Sequence, residues 1–221
     1  MEHEELSNWF EAQKMLLQTS YMAAAQPWQQ SGVGLNTPRS AQDWEVLRRP
    51  IADCITTSGS FLDIGCANGY LLECILNWTY ERHLHIIPYG LDFSDQLVAL
   101  ARKRLSDYAD HIVVGNAWNW SPPQKFAYVN TGLEYVPERL QKAYVQRCLD
   151  LYVQPGGYLL VTEYLGGRTG IPALRINDVL QQWGYTIEEV RESFLEYDPP
   201  ARMRVAVIRN MHPKLTTGEP L

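Results

Sequence analysis

The sequence has no apolar run long enough to cross a bilayer, no Cys-x-x-Cys pair, no excess of basic charge and no internal repeat. Each absence removes a class of protein. A membrane-spanning helix needs about 20 consecutive apolar residues, so no transmembrane span is expected. The four cysteines, Cys54, Cys66, Cys74 and Cys148, lie apart from one another and without histidines at metal-ligand spacing. This argues against a structural zinc site and a disulfide framework, and no metal is expected. With 19 Lys and Arg against 25 Asp and Glu, the net charge is -6, whereas a protein that lives on nucleic acid needs a basic field to meet phosphates. Nucleic acid is therefore not the expected partner. The local basic clusters, Arg48-Arg49 and Arg102-Lys103-Arg104, fall on predicted helices and read as solvated faces. The N-terminus, Met1-Glu2-His3-Glu4-Glu5, is acidic rather than a basic leader, and the expected localisation is cytoplasmic.

What remains is a chain of 221 residues, 46% hydrophobic, long enough for one domain with a full core. Its most informative stretch is Phe61-Leu-Asp-Ile-Gly-Cys-Ala-Asn-Gly69. A short apolar run with an acid near its end feeds a tight glycine-bearing turn and then an apolar segment, which predicts a strand, a turn and a helix over about Tyr70 to Tyr80. Glycines at Gly65 and Gly69 permit positive φ and close approach of a ligand, and a helix start directs free N–H groups to the same place. The pattern recurs: Ile86 to Asp92 reads as a strand ending in an acid, and Ser94 to Leu105 as a helix capped by Ser94 or Asp92. Two such units imply a parallel sheet. An acid about 20 to 30 residues past the glycine turn is where such folds bind ribose hydroxyls, and Asp92 stands there. A dinucleotide site would need G-x-G-x-x-G, but Ala67 and Tyr70 occupy the second and third glycine positions. Both substitutions count against NAD or FAD, because a pyrophosphate needs the backbone to come close there.

The stretch Leu62-Asp63-Ile64-Gly65-Cys66-Ala67-Asn68-Gly69 resembles the first motif of class I S-adenosylmethionine-dependent methyltransferases. Asp92 matches that family's acid after strand 2, Gly115-Asn116-Ala117 its adenine-side turn, and Val153-Gln154-Pro155-Gly156-Gly157 its Pro-Gly-Gly before strand 5. Ala67 departs from a usual second glycine and Asn116 from a common Asp. An alanine fits a turn of negative φ, and the Asn116 amide can still pair with an adenine edge.

The resemblance implies an α/β, Rossmann-like, mostly parallel seven-stranded sheet in the order 3-2-1-4-5-7-6, the last strand antiparallel. Helices cover both faces and an N-terminal helical extension precedes it. Residues 1–58 would form a helical cover or lid, 59–210 the S-adenosylmethionine-binding methyltransferase domain, and 211–221 a disordered tail. The cofactor would be S-adenosyl-L-methionine, with S-adenosyl-L-homocysteine as product. Asp63 would order the turn near the cofactor's amino-acid end, with Gly65, Cys66, Ala67 and Gly69 presenting backbone. Asp92 would hold the ribose with Phe93 beside the adenine; Asn116, Ala117 and Trp118 would lie at the adenine edge, and Asn130 would also contact the cofactor. The acceptor site would form after strand 4, where Glu134, Tyr135 and Glu163 are candidate bases or anchors. Tyr135 lacks a preceding Pro-Pro, which argues against adenine-N6 or glutamine methylation.

Within the cover, Leu6, Trp9, Phe10, Leu16, Leu17 and Tyr21 mark an amphipathic helix over residues 4–25 that would lie over the sheet. Tyr21 and Trp28 would close over the cofactor or hold an apolar or cationic acceptor. Ser40 with Asp43 predicts a capped second helix that Pro50 kinks. Further strands are predicted at His111 to Val114, Phe126 to Asn130, Tyr158 to Glu163, Tyr185 to Phe194 and Arg202 to Arg209. Helices are predicted from Pro137 to Val153 and from Pro172 to Trp183. The acidic charge favours a small-molecule methyl acceptor. An RNA or protein methyltransferase and a catalytically silent S-adenosylmethionine-binding protein remain as alternatives, and the sequence specifies no oligomeric state.

Overall fold

The computed structural model describes residues 2–31, 39–165, 175–197 and 200–211. The strands β1 (Gly59–Ile64), β2 (Ile86–Asp92), β3 (Ile112–Val114), β4 (Phe126–Gly132), β5 (Val153–Leu165), β6 (Glu189–Leu195) and β7 (Ala201–Arg209) form one sheet in the order 3-2-1-4-5-7-6. Pairing is parallel from β3 across to β5. It turns antiparallel where β7 slots between β5 and β6, as the resemblance implied.

The helix α1 (Glu2–Met22) packs at the strand ends, its Tyr21 against Ala67 and Leu97, whereas α2 (Ala41–Asp53), α3 (Tyr70–Tyr80), α4 (Asp95–Arg104), α5 (Gln141–Arg147) and α6 (Ile176–Gln182) divide over the two faces. Successive strand residues point to opposite sides, so Phe61, Tyr128, Leu160 and Val205 join α2, α3 and α4 in one core. Leu62, Val129, Leu159 and Ala206 meet α5 and α6 in the other. Strands buried on both faces are apolar throughout, which is why they read as runs rather than alternations.

Local signals set several boundaries. Ser40 Oγ accepts from Asp43 N at 3.1 Å and starts α2, which continues through Pro50 to Asp53. Ser94, not Asp92, caps α4, its Oγ accepting from Leu97 N at 3.3 Å. Elsewhere the structure departs from expectation. The single helix over 137–153 is instead a 3-10 turn (Glu138–Leu140), then α5, then one wide π turn (Cys148–Tyr152). β5 begins at Val153, so Pro155-Gly156-Gly157 lies inside the strand as a bulge, where the pairing jumps from Phe126↔Val153 to Tyr128↔Tyr158. A bulge absorbs extra residues without ending the ladder. A Cβ on Gly157 would stand 2.7 Å from Ala127 O, so the bulge needs glycine there.

His111 closes a 3-10 turn instead of opening β3, and β6 begins at Glu189 rather than Tyr185. Within the predicted stripe of α1, Leu16 faces out at 62% exposure. The start of the helix predicted from Pro172 and the tail beyond Met211 lie outside the described residues.

Candidate functional site

β1 leaves the sheet at Ile64, and the chain turns through positive φ at Gly65 (80°), Ala67 (48°) and Gly69 (75°). Ala67 thus contradicts the expectation of negative φ. A left-handed conformation costs an alanine about 1–2 kcal/mol. Two contacts offset this: its methyl is buried with Tyr21 and Leu97, and its N–H donates to Asp92 Oδ2 at 2.9 Å. The amides of Gly65 and Cys66 donate to Leu91 O at 2.7 and 3.1 Å, Gly69 N donates to Cys66 O, and Tyr70 N to Asn68 Oδ1. Contrary to the expectation of free donors, these turn amides are committed within the protein. The turn offers a ligand close approach more than hydrogen bonds. Cys66 directs its Sγ into the core against Gly90, where a Cβ would approach it to 2.8 Å.

Two buried acids flank the turn, and Asp92 bonds it. Asp92 is buried and accepts from Ser94 N at 2.9 Å through its second oxygen. Burial pushes its carboxyl up to about 6 against the pull of those amides. Asp63, also buried, accepts from Asn130 Nδ2 at 2.8 Å. Burial raises it to about 7, the Asn130 bond opposes the rise, and the charge of Asp92 adds to it.

At the ends of β1 and β2 lies a cavity of about 250 Å3. Trp9, Phe10, Gln13, Leu17 and Tyr21 of α1 form one wall, so this helix covers the cavity at the sheet's edge. Gly65, Ala67, Asp92 and Phe93 form the opposite wall, Asn116 and Ala117 one end, and Glu134, Tyr135 and Tyr164 the other. Among the described residues no lysine, arginine or histidine lines it.

Nine of the residues singled out in the sequence therefore meet on this wall: Tyr21, Gly65, Ala67, Asp92, Phe93, Asn116, Ala117, Glu134 and Tyr135. Asp63, Cys66, Gly69, Trp118, Asn130, Glu163 and Trp28 do not. Gly69 instead starts α3, close-packed on Ala101. Trp118 donates its N–H to Asn116 Oδ1 at 2.7 Å, and its ring packs on the α5 side of the sheet. Trp28 packs on the α2–α3 core.

The turn after β4 brings two candidates to the cavity. The Tyr135 ring lies against Gly65, so that a Cβ there would fall 2.6 Å from the Tyr135 hydroxyl. Burial holds that phenol well above its ordinary range, so it stays neutral. Glu134 folds its carboxylate over Gly132 and lines both this cavity and a wider neighbouring one. Its side chain keeps access to solvent, while the surrounding protein raises its carboxyl, with Glu163 adding to the shift. Glu163 belongs to the wider cavity and is tied to Arg204 Nη1 at 3.1 Å and to Ile176 N at 3.2 Å.

The basic clusters are not simply solvated faces. Arg48 is buried, stacked between the rings of Trp44 (4.2 Å) and Tyr164 (4.4 Å). Arg104 bonds Asn68 O at 3.1 Å and pairs with Glu73 at 2.8 Å, and Arg102 bonds Ile112 O at 2.9 Å. Sequence reasoning missed Arg48 and Tyr164. For Tyr164 the available signal was its place next to Glu163 at a strand end.

No family model and no curated protein matches the chain. Solved structures do. The N-methyltransferase NodS from Bradyrhizobium japonicum, in complex with S-adenosyl-L-homocysteine, is 16% identical with a TM-score of 0.61, over 90% of this chain and 98% of that one. A S-adenosylmethionine-dependent methyltransferase from Geobacter sulfurreducens, also with S-adenosyl-L-homocysteine, is 16% identical with a TM-score of 0.54, over 87% and 97%. The [4+2]-cyclase SpnF is 14% identical with a TM-score of 0.58, over 88% and 92%. Together with the strand order and the β7 insertion, these likenesses show that the chain has the Rossmann-like fold of the S-adenosylmethionine-dependent methyltransferases.

Proposed function

We propose that this protein is an S-adenosylmethionine-dependent methyltransferase acting on a small-molecule acceptor. One observation carries the reading: a cavity at the C-terminal ends of β1 and β2 is bounded by the Gly65–Gly69 turn, Asp92, Phe93 and Asn116, and roofed by aromatic residues of α1. The C-terminal strand ends are where open α/β sheets bind nucleotides. The fit favours a nucleoside without a diphosphate, since the turn amides are committed internally and the wall carries no cation among the described residues. When bound, S-adenosylmethionine supplies an electrophilic methyl group on a sulfonium.

The chain's own residues then have separable tasks. Asp92, fixed by two amides, keeps carboxylate lone pairs for ribose hydroxyls. Phe93 flanks the base, Asn116 and Ala117 meet its edge, and Asp63 with Asn130 supports the turn from behind. Helix α1 acts as the cover, with Trp9, Phe10 and Tyr21 excluding water and holding the acceptor's apolar surface. We assign the proton-accepting role to Glu134, because it reaches both cavities while Glu163 is held by Arg204. Fixing an acceptor in line for displacement supplies about 7–11 kcal/mol in favourable models, so positioning is the larger share of the catalysis. The acidic charge and the enclosed aromatic cavity support a small acceptor over RNA or protein.

The test is calorimetric titration with S-adenosylhomocysteine, followed by methyl-labelled S-adenosylmethionine with a metabolite extract. The wild type should bind the thioether and label a small-molecule pool, and Asp92→Ala should bind at least tenfold more weakly. Label in RNA or protein alone would overturn the acceptor class. Binding with no transfer would point to a silent cofactor-binding protein, and uptake of NADH instead would overturn the whole reading.

A further inference from the structure

We propose that the atom receiving the methyl group is a hydroxyl oxygen of the acceptor, held between Glu134 and Tyr164 where the two cavities meet. This rests on the cofactor reading above and adds the acceptor's chemical class to it.

Methyl transfer needs donor and acceptor in contact, so the reacting atoms lie where the nucleoside's cavity adjoins its neighbour. Among the described residues the two walls share Glu134 and Tyr164. The first cavity measures about 250 Å3 and the wider one about 1160 Å3. The wider one gives an acceptor's bulk the room that the first, once it holds a nucleoside, does not. Leu133, Pro137, Ile176, Val179 and Trp183 make part of its lining apolar. Both signs of charge also line it, Glu138 and Glu163 with Arg139 and Lys142, and Glu163 is already paired with Arg204 at 3.1 Å. Nothing there selects a full charge on the acceptor.

The two shared residues have opposite hydrogen-bonding character. Glu134 offers a carboxylate that accepts, and its raised carboxyl makes it the better base. The Tyr164 hydroxyl is buried without a partner, whereas a buried polar group normally has one. Its ring lies 4.4 Å from the buried Arg48 guanidinium. Burial raises this phenol and keeps it protonated, while the Arg48 charge opposes the rise and strengthens the phenol as a donor.

A base beside a reserved donor matches a hydroxyl, which has one proton to give and two lone pairs. Tyr164 occupies one pair and eases ionisation of the oxygen. The second pair forms the bond to the methyl carbon, the sulfur keeps the electron pair of the bond that breaks, and the hydroxyl proton passes to Glu134. An amine fits this pair of residues poorly. When neutral it has a single lone pair, which the methyl needs and Tyr164 would occupy; when protonated it has none and adds a second cation beside Arg48. A carboxylate brings no proton and is repelled by Glu134.

The test incubates the full chain with methyl-labelled S-adenosylmethionine and a metabolite extract, then isolates the compound that takes the label. Its methyl should survive mild alkali and leave as iodomethane in hot hydriodic acid, as a methyl ether does. Release in alkali would mean an ester, and retention under ether-cleaving conditions a methylated nitrogen or carbon; each would overturn the inference. With that compound unlabelled as substrate, Tyr164→Phe, which keeps the ring against Arg48, should lower kcat about 10- to 100-fold. KM and the affinity for S-adenosylhomocysteine should stay within about twofold. Glu134→Gln should lower kcat at least 100-fold. Because the deleted hydroxyl has no partner, ligand-free Tyr164→Phe should melt no lower than wild type, whereas a merely structural hydroxyl predicts lower melting with kcat unchanged. An unchanged kcat, or an equal loss of S-adenosylhomocysteine affinity, in Tyr164→Phe would overturn its role. Wild type that binds S-adenosylhomocysteine but labels nothing would overturn the hydroxyl acceptor and spare the cofactor reading; wild type that binds none would overturn both.

Discussion

Asp63 makes the fold more stable in mild acid than in mild base. Its carboxyl is raised from the ordinary 3.8 to about 7, chiefly by burial. In the unfolded chain it is ionised throughout pH 6 to 8, so only the folded state changes protonation across that window. The folded state binds the extra proton, and stability therefore falls as pH rises through 7. Over a window centred on the folded value the proton is bound for half the range on average, which amounts to about 1.4 kcal/mol between pH 6 and pH 8. Asp92, titrating near 6, adds about 0.4 kcal/mol in the same direction. For a chain of this size each kcal/mol moves the melting temperature by about 2–4 °C, so the ligand-free protein should melt about 4–7 °C higher at pH 6 than at pH 8. Starting at pH 6 keeps the protein away from its pI near 5.4, where solubility falls. Asp63→Asn keeps an acceptor oxygen for Asn130 Nδ2 but cannot ionise. It should be more stable than wild type at pH 8 and keep less than a third of the pH-dependent gain. Urea unfolding at the two pH values measures both. A wild type no more stable at pH 6, or an Asn variant with an undiminished gain, would refute the assignment of this titration to Asp63.

Gly65→Ala would force a side chain onto φ +80° and into the Tyr135 ring at 2.4 Å. It should cost about 2–4 kcal/mol of stability by denaturant titration, from left-handed strain and overpacking together, with Tyr135→Ala recovering the overpacking part. Among the described residues of α1 only Tyr21 is buried, and Lys14–Asp95 at 3.5 Å and Gln18–Ser94 at 3.2 Å tie the helix to the start of α4. Its amides should exchange with deuterium much faster than those of α3, and S-adenosylhomocysteine should slow them at least tenfold. Unchanged α1 exchange under saturating ligand would count against the cover.

The alternation of strands and helices was legible because the strand–turn–helix units from Phe61 to Leu105 carry caps, acids and glycines at the points where backbone geometry demands them, and the segment after Trp183 offers two strands with no helix between; the order of the strands came from the resemblance alone. The side of the cavity at the ends of β1, β2 and β3 was legible for the same reason: Gly65, Asp92 and Asn116 sit at strand ends, and strand ends share one edge. Other features depend on tertiary neighbours. Ala67 takes a left-handed conformation because Asp92, 25 residues on, captures its N–H. Arg48 and Arg49 look alike in the sequence, yet Arg48 is stacked between aromatic rings while Arg49 reaches Asp53 and Glu81 at the surface. Pro155-Gly156-Gly157 reads as a stop signal, and only the partner strand β4 reveals that the ladder resumes beyond it.

Helix α2 sits in the first quarter of the chain but is fastened to its last hairpin. Ser193 Oγ donates to Leu47 O at 2.8 Å across 146 residues, and the Tyr197 hydroxyl bonds Asp43. On the ribosome, Asp43 and Leu47 must therefore wait for nearly the whole polypeptide before these partners exist. Such distant pairings slow folding and leave apolar surface open to wrong partners in the meantime. Early termination near residue 190 would release a chain with the glycine turn encoded and its second helix packed on α3 alone, without the hairpin that covers its other side.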